Sequence, residues 1–141
     1  MRLKPIAGGW IAVNGRYALD TNVVISLFAK DPQVTASMQN GREIFIPIIV
    51  IGELYYGAKK SARCEENTAK IDEFVAENVI LPCDLGTARQ YSEIKDQLRH
   101  KGRPIPENDI WIAAIALQYQ VTLVTRDPHF REIEGLVLEQ W

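Results

Sequence analysis

The chain has 141 residues, 47% hydrophobic and 24% charged, with 16 basic and 18 acidic side chains. That length suits one domain with its own core, which needs neither a disulfide nor a structural metal to hold it. A formal net charge of -2 excludes a strongly basic nucleic-acid-binding module, so any RNA contact must rest on local patches or bound cations.

The two cysteines, Cys64 and Cys83, form no CxxC pair, and His100 and His129 cannot make a His-rich site. They read as reduced thiols in a cytoplasmic protein, and zinc is not expected. The apolar run over residues 6–13 is too short to cross a bilayer, and no other stretch is long enough.

Apolar residues 10–13 and 16–19 flank Asn14-Gly15, the strongest short signal for a β-hairpin. Residues 1–16 are therefore expected to be a leader that adds a strand, hairpinned onto a first core strand ending at Asp20. Residues 17–141 make one domain. Helices are predicted over 21–29 and 32–40, the second stopped by Gly41. A strand over 43–46 leads past Pro47 into a helix that carries Glu53 and runs to about Lys60. A helix over 64–77 and a strand over 79–81 follow. Residues 87–101 form a long helix with Tyr91, Ile94 and Leu98 on one apolar face. After the rigid loop 102–106 comes a helix over 107–120, then a β-branched strand over 121–125. Asp127-Pro128 turns the chain, and residues 136–138 form a last strand. Strands alternating with helices predict an α/β domain with a mainly parallel sheet covered on both faces.

Four carboxylates stand out by position. Asp20 ends the first core strand, and Asp127 follows the strand over 121–125. Sites in parallel α/β sheets form beyond the carboxyl ends of strands. Glu53 and Asp109 can reach the same edge from neighbouring helices. Taken singly, Asp20 reads equally as an N-cap. Asp109 reads as a first-turn acid favoured by the helix dipole, and Asp127 as a turn residue. Glu53 is harder to explain structurally. Its helical neighbours Ile49, Val50, Tyr56 and Gly57 offer no cation, and a half-buried acid needs a metal or hydrogen-bond donors. If all four converge, like charges need a counter-charge. All-oxygen donors point to Mg²⁺ or Mn²⁺, ions suited to phosphodiester hydrolysis.

Four segments carry a family resemblance. Leu19-Asp20-Thr21-Asn22 resembles the opening motif of PIN-domain proteins, specifically the VapC type of toxin. Ile51-Gly52-Glu53-Leu54-Tyr55-Tyr56-Gly57 is similar to that family's E-L-x-x-G helix. Ile105-Pro106-Glu107-Asn108-Asp109 resembles its I-P-x-N-D segment, and Leu123-Val124-Thr125-Arg126-Asp127 its L-V-T-x-[DN] ending. The resemblance covers the chain from Tyr17 onward and implies a three-layer α/β/α sandwich. It implies a Mg²⁺- or Mn²⁺-dependent endoribonuclease that hydrolyses RNA with metal-activated water, leaving a 5′-phosphate and a 3′-hydroxyl. Asp20, Glu53, Asp109 and Asp127 would be the catalytic and metal-site acids, with Asn22 and Thr125 orienting waters or neighbouring carboxylates. A cognate antitoxin and a homodimer are also implied. The longer leader is the one departure.

Lys59, Lys60, Lys101 and Arg103 lie beside the site helices. They read either as solvated helix ends or as contacts to RNA phosphates. Two other functions remain open: a PIN-like module that binds RNA or protein without cutting, and an RNA-processing PIN nuclease that is not a toxin. A haloacid-dehalogenase-like phosphatase would need an acid where Asn22 stands.

Overall fold

The computed structural model describes residues 2–6, 9–13 and 15–141, with side chains from residue 15 onward. In chain order its elements are β1 (Arg2–Ile6), β2 (Gly9–Val13), β3 (Arg16–Leu19), α1 (Thr21–Phe28), α2 (Pro32–Met38), β4 (Glu43–Pro47) and α3 (Ile48–Lys60). Then come α4 (Cys64–Glu77), β5 (Val79–Leu81), α5 (Leu85–Lys101), α6 (Glu107–Tyr119), β6 (Thr122–Val124), a 3-10 helix (Pro128–Glu132) and β7 (Leu138–Glu139). No helix among the described residues is long and apolar enough to cross a membrane.

Five strands form one parallel sheet in the order β5-β4-β3-β6-β7. The chain steps outward from β3 to β4 to β5, then returns past β3 to β6 and β7. Right-handed crossovers in opposite directions put their helices on opposite faces, which gives the α/β/α sandwich. Burial on both faces explains why β3 and β6 read as apolar runs rather than alternating patterns. Tyr17, Ala18, Leu19, Leu123 and Val124 are all fully buried.

Helix ends follow local chemistry. Asp31 caps α2 by accepting from the amides of Gln33 and Val34, with Pro32 in the first turn. A reciprocal capping box between Asp84 and Thr87 starts α5 at Leu85, two residues before the expected start, because the cap lies upstream of Thr87. Gly102, with φ of 66°, ends α5 in the left-handed region. Helix α6 buries six consecutive or near-consecutive side chains from Ile110 to Ala116, so its apolar surface goes nearly all round.

Two expectations change. The hairpin at Asn14-Gly15 is replaced by a different pairing: β2 runs antiparallel to β1, from Arg2 opposite Val13 to Ile6 opposite Gly9, in a separate sheet. Both edges of β3 are taken by β4 and β6, so no antiparallel partner can be added there. Asn14 itself lies outside the described residues. The last strand also moves, from 136–138 to Leu138–Glu139, because Gly135 turns the chain at φ of 77° and pairing with β6 starts at the Val137 carbonyl.

Trp141 closes the core beside β3. Its ring centroid lies 5.6 Å from that of Tyr17, and the Arg42 guanidinium sits over both rings at 5.3 and 5.4 Å. Arg126 Nε donates to the Trp141 carbonyl at 2.8 Å. Trp141→Ala should therefore remove about 3 kcal/mol of stability, through lost burial and lost cation–π contact. Urea unfolding measures it. A loss below about 1 kcal/mol would mean the ring is not part of the core.

Candidate metal centre

The four acids meet where the topology reverses. From β3 the chain departs toward β4, and from β6 it departs toward β7, so the crevice between the carboxyl ends of β3 and β6 is the switch point of the sheet. Asp20 follows β3 directly, and Thr125 and Asp127 follow β6. Helix α3 brings Glu53 on its second turn, and α6 brings Asp109 on its first. The four acids line a cleft of about 530 Å³.

Asp20 both caps α1 and lines the cleft. Its side chain accepts from the Thr21 amide at 2.8 Å, which starts α1. Its second oxygen accepts from the Thr125 hydroxyl at 2.7 Å. Only 5% of the residue is exposed. Burial pushes its pKa up, against the bonds from Thr125 and Thr21, and the charges on Glu53 and Asp127 push it further. The Thr125 hydroxyl in turn accepts from the Asp127 amide at 3.0 Å, so one side chain ties two acids together. Glu53 accepts from the Thr21 hydroxyl at 2.8 Å.

Asp109 carries the clearest sign of crowding. Its pKa is pushed up to about 6, first by desolvation and then by Asp20, Asp127 and Glu53, with His129 opposing. The His129 Nδ1 lies 3.0 Å from an Asp127 oxygen and 3.6 Å from an Asp109 oxygen. One donor atom each from Asp109, Asp127 and His129 falls within 4.8 Å of the others.

Among the described residues, no lysine or arginine forms an ion pair with Asp20, Glu53, Asp109 or Asp127. Four carboxylates around one cleft, with one imidazole and no lysine or arginine paired to them, call for an external cation. Oxygen donors, with two of the acids already held by hydroxyls, fit a hard divalent ion.

Asn22 lines the same cleft, as do Glu107 and Asn108. The Glu107 carboxylate is engaged by Lys95 at 2.9 Å and by the Tyr91 hydroxyl, while Pro106 occupies the cap of α6. Lys59, Lys60, Lys101 and Arg103 do not line the cleft. Lys101 donates to the Glu132 carbonyl at 2.8 Å, and the Lys60 ammonium lies 4.4 Å from the Tyr56 ring centroid. Sequence reasoning missed His129 and Thr21. The proximity of His129 to Asp127, two residues apart across a proline, was the available signal.

A PIN domain model matches residues 17–136. The chain belongs to the PIN domain family. It is 36% identical over 129 residues to "Ribonuclease VapC2" of Haemophilus influenzae, covering 89% of this chain and 98% of that protein. It is 31% identical to the "tRNA(fMet)-specific endonuclease VapC" of Shigella flexneri, over 89% and 98% of the two chains. Among solved structures, the VapBC2 complex of Rickettsia felis bound to a promoter DNA fragment contains a chain that superposes with a TM-score of 0.83 at 33% identity, over 89% of this chain and 98% of that one. In this PIN domain, as in any parallel α/β sheet, the crevice at the switch point is where a ligand site is expected.

Proposed function

We propose that this PIN domain is a metal-dependent endoribonuclease acting in the cytoplasm as the toxin of a toxin–antitoxin pair. The observation that carries the reading is the convergence of Asp20, Glu53, Asp109 and Asp127 on one cleft without a lysine or arginine partner. These acids would hold one or two divalent ions, Mg²⁺ or Mn²⁺. When bound, such an ion neutralises charge at the scissile phosphate and lowers the pKa of water. Thr125 and Thr21 hold Asp20 and Glu53 in place for that task, and Asn22 orients water or substrate at the cleft wall. The solved VapBC2 complex supports an antitoxin partner; a homodimer is what the family resemblance implies. The tRNA-specific relative makes tRNA the first substrate to try.

RNA would reach the cleft along basic residues around it. Lys60 lies seven positions beyond Glu53 and so on the same face of α3. Arg103 is exposed in the loop before α6. Lys59 and Lys101 complete the set, with Lys101 partly committed to Glu132. Arg103→Glu should slow RNA cleavage several-fold without shifting the melting temperature. An unchanged rate at matched salt would remove Arg103 from the RNA path.

The test is incubation of the purified protein with total RNA and tRNA in Mg²⁺, in Mn²⁺ and in EDTA, beside Asp109→Asn. Discrete cleavage that requires metal and vanishes in the variant supports the reading. No cleavage by antitoxin-free protein would make this a binding module. Cleavage without toxicity on expression would make it an RNA-processing nuclease.

A further inference from the structure

We infer that the His129 imidazole is a donor to the ion held by Asp109 and Asp127, which gives this centre a preference for first-row transition ions over Mg²⁺. The inference rests on the metal-centre reading above and adds a nitrogen to its oxygen set.

The geometry comes from two separate elements. Asp127 caps the 3-10 helix by accepting from the His129 amide at 2.9 Å. That turn folds the imidazole back over the carboxylate, with Nδ1 at 3.0 Å from Oδ1. A purely local turn would end there. Here the same nitrogen also lies 3.6 Å from an oxygen of Asp109, on α6. Two donors at right angles on an ion with bonds of about 2.1 Å stand about 3 Å apart; the His129–Asp127 spacing matches that, and the three donor atoms all lie within 4.8 Å of one another. The Asp109 side chain is 14% exposed and that of His129 is 52% exposed, so the imidazole faces the cleft from its open side, where an ion enters.

Donor type then decides selectivity. Imidazole binds first-row transition ions better than it binds Mg²⁺, which dehydrates reluctantly and takes oxygen. Carboxylates alone make a weaker distinction.

Mn²⁺ is the probe, bound to the full chain and followed by calorimetry and electron spin-echo spectroscopy. The wild type should show modulation from a directly bound ¹⁴N nucleus. His129→Gln should lose that modulation, and its Mn²⁺ affinity should fall about tenfold while Mg²⁺ affinity changes less than twofold. A thermal melt confirms that the variant folds. Bound Mn²⁺ that needs Asp109 but shows no nitrogen coupling, or equal losses for both ions, overturns the role of His129 and leaves the acid centre standing. Mn²⁺ binding that does not depend on Asp109 overturns the acid centre, and this inference with it.

Discussion

Asp109→Asn should abolish metal-stimulated RNA cleavage and, in the ion-free protein at pH 7, raise the melting temperature. The two effects have one origin. Asp109 shares a desolvated cleft with three other carboxylates, which holds its pKa at about 6, above the ordinary aspartate value of 3.8. The folded state therefore disfavours the ionised form. Below the unfolded pKa both states carry the proton and the penalty is absent. It grows as pH rises toward 6 and is complete above that, on the order of 2 kcal/mol for a side chain this enclosed. The amide has no proton to lose and escapes the penalty. On the proposed reading it also removes a ligand of the ion, which would supply several kcal/mol of transition-state stabilisation, a loss of about a thousandfold in rate. Thermal melts of both proteins between pH 4 and 8 in EDTA check the first effect. The stability difference should open between pH 4 and 6. A constant difference, or a less stable variant at pH 7, would mean the acids do not repel one another in the folded protein. Divalent ions should then stabilise the wild type far more than the variant.

Thr125→Val should lower stability by about 2 kcal/mol and weaken divalent-ion binding by about ten- to a hundredfold. The substitution nearly preserves shape and removes only the hydroxyl. That hydroxyl donates to the buried Asp20 carboxylate and accepts from the Asp127 amide. Without it an enclosed oxygen of Asp20 has lost its donor, and the backbone that aims Asp127 is released. Thr125→Ser keeps both bonds and should restore ion affinity. Calorimetric titration with Mn²⁺ and urea unfolding measure the two quantities. Wild-type values for the valine variant would show that Thr125 is packing, not support. Ion affinity that stays low in the serine variant would mean that the hydroxyl alone does not support the site.

Much of the fold was legible because the deciding signals were local. Helix α4 and strand β5 fall where periodicity puts them, over 64–77 and 79–81. The end-of-strand positions of Asp20 and Asp127 pointed to the sheet edge. The absence of a helical cation near Glu53 set it apart from a surface acid. What was illegible depended on contacts between distant segments. Asn14-Gly15 is a strong local turn signal, yet pairing at β3 is decided by β4 and β6, which arrive from elsewhere in the chain. The convergence of four acids is likewise a property of topology. His129 was set aside because two histidines cannot build a histidine cluster. Its place beside Asp109 is fixed by the 3-10 helix and by α6 together, and neither segment alone announces it.

The bond from Thr125 to Asp20 joins residues 105 positions apart, and β6 must lie against β3 before it can form. Closing so long a loop is slow compared with forming helices. During synthesis the first acid emerges early and stays without its companions until the segment through Asp127 has left the ribosome. The complete four-acid cluster is thus the last part of the cleft to assemble, and it depends on β6 docking against β3.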